Sequence, residues 1–193
     1  MRNLLIFLLI VIISSCSGRT EKSAQNEIKT EKEYLQMGME IANQTQAELL
    51  KVVSGAMASG GPVYAIEFCN LKALDLKDSL SHLYNCEIER IALKNRNPEG
   101  KPDSETEWNQ LESYQQAHAM GDSIGPELHV FEDRVEYYQP ILIKVGTCLV
   151  CHGDPETQIA EATLAKINEL YPEDRATGFA MNDLRGAWKI TFP

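Results

Sequence analysis

The residues with the most specific chemistry are Cys148-Leu149-Val150-Cys151-His152. Two thiols separated by two residues can add across the two vinyl groups of a porphyrin, and a histidine directly after the second thiol reaches the iron on that face. Two other chemistries use a CxxC. A thioredoxin-type dithiol gains nothing from the following histidine. A tetrahedral zinc site needs four ligands, yet adjacent Cys151 and His152 are badly placed to share one ion and no second CxxC follows. The motif therefore predicts one covalently attached haem c, with His152 on the iron and its other ring nitrogen donating to a backbone carbonyl or a carboxylate.

Covalent attachment of this kind belongs to exported proteins, and the first residues agree with export. Arg2 provides a positive start, residues 4–13 are an unbroken apolar run, and Ser14 and Ser15 lead to Cys16. An apolar run of this length is short for a hydrocarbon core about 30 Å thick, so residues 1–15 read as a signal peptide rather than a retained anchor. Ile13-Ser14-Ser15-Cys16 resembles the bacterial lipobox, which makes Cys16 the candidate lipidation site and the membrane a partner through the lipid. Ser17, in place of an Asp after the cysteine, favours a periplasm-facing outer-membrane location by resemblance to other lipoproteins.

The whole chain of 193 residues carries a formal charge of -10. Nucleic-acid binding draws most of its affinity from Lys and Arg at phosphates, so nucleic acid is a poor partner for this surface, whereas a basic redox or signalling protein suits it. A composition with 44% hydrophobic and 24% charged residues is that of an ordinary globular domain. Residues 16–31 are small and polar and read as a flexible tether, which leaves 32–193 as one folded domain.

The elements that must position the motif follow from periodicity. Residues 32–58 mix three- and four-residue apolar spacings and predict an amphipathic helix, ended by Gly60-Gly61-Pro62. A second helix is expected over 63–83, a strand over 86–93, a turn-rich segment over 95–102 and a helix over 105–120. Residues 127–145 read as a β-hairpin whose second arm is bent by Pro140. A helix over 154–170 and a strand over 186–192 complete an α+β domain with a small sheet.

Ligation opposite His152 is open by chemistry alone: Met37, Met39, Met57, Met120, Met181, His82, His118, His129, Cys69 and Cys86 all carry suitable atoms. Four blocks of sequence narrow the choice. Ala65-Ile66-Glu67-Phe68-Cys69-Asn70, Arg96-Asn97-Pro98 followed by Glu105 and Glu107, Tyr138-Gln139-Pro140-Ile141, and Cys148 through Gly153 resemble, in order and spacing, a family of small c-type haem domains of unknown function. Members of that family have a PAS-like fold and occur as lipoproteins or as sensory parts of signalling proteins. The resemblance spans about residues 32–193 and implies a PAS-like fold with His152 and Cys69 as the iron ligands. Departures lie in 91–95, where small residues are usual, and in a Gly-rich segment reduced to Thr177-Gly178-Phe179 and Arg185-Gly186.

Without the resemblance, Cys69 reads equally as an inert core thiol or as a disulfide partner of Cys86. A thiolate ligand favours ferric iron and a low potential. Arg96 is a candidate for pairing a haem propionate through its planar guanidinium, against a plain reading as a surface arginine in a turn. The expected role is a redox or ligand-responsive sensor domain acting through a separate protein, or an electron-transfer cytochrome. An enzyme such as a peroxidase would need an open iron position and a distal acid or base, and nothing marks His82 or His129 for that task.

Overall fold

A computed structural model describes residues 29–193, the side chains of 70–76 excepted. Cys16, the signal peptide and most of the tether lie outside the described residues, as do the side chains of Asn70, Leu71, Leu74 and Leu76.

The chain enters its first helix, α1 (Glu31–Tyr84), through a capping box: the Thr30 hydroxyl accepts from the Glu33 amide and the Glu33 carboxylate accepts from the Thr30 amide. Helical dihedrals break at Gly61, with φ 74° and ψ -168°. That conformation is closed to most L side chains, and Pro62 follows without an amide hydrogen to lose. The break is a reversal. A straight helix would carry Tyr84 about 60 Å beyond Gln44 at about 1.5 Å per residue. Instead the Tyr84 hydroxyl donates to the Gln44 side chain, and Leu80 shares a core with Ile41 and Ala42. Thus α1 is an antiparallel helical hairpin with Gly60-Gly61-Pro62 at its tip, in accord with the two helices expected from the sequence.

Four antiparallel strands follow: β1 (Glu87–Ile91), β2 (Glu127–Val130), β3 (Val135–Leu142) and β4 (Leu184–Phe192), in the spatial order β1-β4-β3-β2. The last strand in sequence is therefore central, paired with β1 from Glu87↔Thr191 to Ile91↔Ala187 and with β3 from Val135↔Phe192 onward. Strand alternation divides the side chains between two faces. Ile88, Tyr137, Trp188 and Ile190 pack against the α1 hairpin; Ile91, Tyr138 and Ala187 pack against Leu111 and Tyr114 of α2 (Glu105–Ala119). Helices thus flank a small antiparallel sheet, the α+β, PAS-like arrangement expected.

Two expectations are corrected in detail. Pro140 does not bend β3: it pairs in register with Ala187, and the irregularity falls between Ile141 and Leu142. Because β2 ends opposite Tyr138, Pro140 lies where β3 is an edge, the position at which a strand tolerates proline. The helix after the CxxCH motif begins later than expected, as α4 (Glu161–Leu170). Asp154 diverts the preceding residues into a turn by accepting from the Glu156 and Thr157 amides and the Thr157 hydroxyl.

Candidate functional site

Cys151 and His152 lie on α3 (Leu149–His152), a single helical turn entered through a 3-10 turn, Gly146–Cys148. The turn ends at Gly153, whose backbone turns extended, at ψ -164°, in a place where a Cβ would stand 2.5 Å from the Leu149 carbonyl oxygen. Both thiols are half-buried and free, as are those of Cys69 and Cys86, so neither candidate disulfide is formed. Among the described residues no group of three or more His, Cys, Asp or Glu is arranged to hold a metal ion, so the zinc reading gains no support there.

His152 is fixed from behind. Its Nδ1 lies 2.7 Å from the Ala176 carbonyl oxygen. That oxygen can only accept, so Nδ1 carries the proton and Nε2 presents its lone pair. Phe179 stands edge-on to the imidazole at 6.2 Å between centroids. Burial holds the His152 pKa well below 6.5, with Arg185 and Arg96 pressing the same way, so the ring is neutral and able to coordinate.

The α1 hairpin brings Cys69 to this turn from far back in the sequence. Ile66, one helical turn before Cys69, packs with Ile159 and Ile167, and Cys151 lies against that cluster. Lys166 of α4 reaches back to Glu67 at 3.0 Å and anchors the hairpin arm beside the motif. Burial raises the Cys151 thiol pKa, Arg96 opposes this, and the charges of Cys69 and Cys148 add to the rise. Charge coupling of this kind places the three sulfur-bearing residues in one electrostatic neighbourhood. Burial likewise raises the Cys69 thiol, opposed by Arg90 and Arg96.

Several other candidate ligands are exposed or otherwise engaged, and His82 is exposed and Met57 half-buried on α1. Met39, Met120 and Met181 are exposed, and Met37 packs against the sheet core. His129 hydrogen-bonds Gln110, and His118 lines a cleft beside α2. Cys86 sits against the sheet core, where burial pushes its thiol up to about 11.

Arg96 is buried and engaged, not a surface arginine in a turn. Its Nε and Nη2 make a forked pair with Asp174 at 3.2 and 3.1 Å, and Nη2 also donates to the Cys151 carbonyl at 2.6 Å. It acts as a strut under the motif. Two further arginines escaped the sequence reading. Arg90 occupies the inward parity of β1, opposite Trp188, and Arg185 is buried at the start of β4. An arginine on the same alternation as Ile88 was the available signal for the first; Asp174 and Ala176 carry no signal of their own.

The sequence profile of the Tll0287-like family matches residues 20–193. The chain belongs to the Tll0287-like family. No curated protein matches it in sequence. Among solved structures the chain is similar to a cyanobacterial heme-protein, Tll0287, with 23% identity, a TM-score of 0.64, and coverage of 85% of this chain and 97% of that one. That similarity establishes the Tll0287-like fold, long N-terminal helix and open antiparallel sheet included.

The residues gathered at α3 fit a covalently held haem. They comprise two free thiols at the attachment spacing, a neutral imidazole with its distal nitrogen available, and basic side chains without matching acids.

Proposed function

We propose that this protein binds one haem c, attached through thioethers at Cys148 and Cys151, with His152 and Cys69 as axial ligands. The observation that carries the reading is the His152 Nδ1 hydrogen bond to Ala176, which leaves Nε2 available beside two half-buried free thiols. Family membership and the likeness to a heme-protein support it. Cys69 is supported as sixth ligand by its shared neighbourhood with Cys151.

The bound haem would serve as a low-potential redox or ligand-responsive sensor, not an enzyme. Cys69 sits on one arm of a helical hairpin that also packs on the sheet, so exchange of the thiolate for another ligand has a mechanical route to the rest of the fold. A chain with a formal charge of -10 favours a second reading, electron transfer to a basic partner. Export, lipidation at Cys16 and tethering at a periplasm-facing membrane surface complete the proposal, with a redox or signalling protein as partner and no role for nucleic acid.

The test is production with c-type maturation. The parent should carry covalent haem that survives denaturation, and Cys148→Ser with Cys151→Ser should abolish it. Cys69→Ala should retain the haem while losing the low-spin thiolate spectrum, with a rise in potential. An unchanged spectrum in Cys69→Ala would return a Met or His to the iron and make a plain electron carrier the better account.

A further inference from the structure

Three guanidinium groups, those of Arg90, Arg96 and Arg185, converge on the CxxCH turn of a chain that is otherwise acidic. Each acts electrostatically on His152, and Arg90 and Arg96 both act on Cys69. The one carboxylate that the described residues bring to them is Asp174, and Arg96 takes both of its oxygens. Like charges gathered at partly buried positions repel and lose hydration, so an arrangement of this kind needs anions to balance it.

The two arginines beyond Arg96 differ in what they lack. Arg185 donates from Nη1 to the Lys94 carbonyl at 3.1 Å and lies over the Phe179 ring, but its buried Nε has no partner. Arg90 makes no hydrogen bond or ion pair with any described residue. Its place on β1, opposite Trp188, turns it to the face covered by the α1 hairpin, and its charge is coupled to Arg96, Cys69, Tyr171 and Cys148. A half-buried guanidinium without an internal acid is shaped for a carboxylate supplied by a guest.

We propose that Arg90 pairs a haem propionate, while Arg96 holds the polypeptide under the haem and does not take that role. The inference rests on the haem reading above and deepens it. Haem carries two propionates, and the cluster holds two arginines in excess of its one acid. The pairing also sets the redox balance. Ferric haem bears one more positive charge than ferrous haem, so a cation at the propionate favours the reduced state.

The experiment compares the matured parent with Arg90→Gln and Arg90→Lys. Haem content is read from the haemochrome spectrum, ligation from the ferric and ferrous spectra, the potential by titration, and the propionate bending band by resonance Raman. Arg90→Gln should keep its haem and its low-spin spectrum, shift the propionate band, and lower the reduction equilibrium about tenfold, or about 59 mV for one electron. Arg90→Lys should recover most of the potential by restoring the charge. An unchanged band and potential in haem-loaded Arg90→Gln, or a fall in thermal stability alone, overturns the pairing and leaves Arg90 a structural residue. If Arg90→Gln does not fold, Arg90→Lys decides by its propionate band, which must shift when the forked donor is replaced by a point charge. A parent without covalent haem overturns the haem reading itself, a result separate from failure of the pairing.

Discussion

The sheet and the CxxCH lobe are built on opposite principles. In the sheet, Tyr137, Tyr138, Ile88 and Ile190 are fully buried, and the polar groups that go with them are matched: the Tyr138 hydroxyl donates to Glu136, Tyr114 donates to the Tyr138 carbonyl, and Trp188 donates to Gln46. The lobe formed by the second arm of α1, α3 and α4 leaves thiols free and one imidazole nitrogen available, and the two arginines that act on it from the sheet, Arg90 of β1 and Arg185 of β4, have no acid of their own among the described residues. The sheet core satisfies most of its polar groups with its own side chains; the lobe leaves groups open, as the proposed haem site requires. Stability and function are thereby assigned to different parts of the chain.

The most severe test of that division is Tyr137→Ala, which empties a ring-sized space between the sheet and the α1 hairpin. It should cost about 3–5 kcal/mol in denaturant unfolding, while surviving folded protein keeps the parent's iron spectrum. A changed spectrum would show that the two regions are not separable. Within the lobe, Asp174→Ala strands the buried Arg96 and should cost about 3 kcal/mol. Its haem spectra should also change, because the Cys151 carbonyl and the Ala176 segment lose their support.

Acid should separate the regions by pH. The folded pKa of His152 lies well below 6.5, so the unfolded chain takes up a proton that the folded chain refuses. The haem-free protein should therefore lose stability as pH falls below 6.5, and iron bound at Nε2 should suppress that loss. Glu136 acts lower: burial would raise its pKa, but hydrogen bonds from Arg134 and Tyr138 outweigh it. Its stabilisation is present above 4.5 and fades as pH falls through its depressed value. Melting temperatures of haem-free and haem-loaded protein across both windows check the sign. The smallest effect is expected from Lys166→Ala, because its ion pairs with Glu67 and Glu169 are screened by solvent. Its denaturant midpoint should stay close to the parent's; a loss as large as that of Asp174→Ala would show that the hairpin arm depends on this anchor.

The sequence made the fold class and the motif legible because both depend on local rules. Helical periodicity, the Gly60-Gly61-Pro62 reversal and the spacing of Cys148, Cys151 and His152 are all written within short windows. What pairs with what across the fold was not legible. The central place of β4 and the engagement of Arg96 by Asp174 join residues tens of positions apart that no local rule encodes, and Cys69 was linked to the motif by the family resemblance alone. Asp154 misled the helix boundary because its side chain competes for amides that a helix would otherwise use.

The reversal at Gly61 also sets where the chain can change length. At about 3.6 residues per turn, one residue inserted between Pro62 and Cys69 would rotate the thiol by about 100° and aim it away from α3. The same insertion at the tip, where a Cβ on Gly61 would meet nothing within 4 Å, merely enlarges a loop. The second arm is therefore a phase-locked segment joined to a length-tolerant turn, and the short run of helix from Pro62 to Cys69 carries the angular information that fixes the direction of the sulfur atom proposed as an iron ligand.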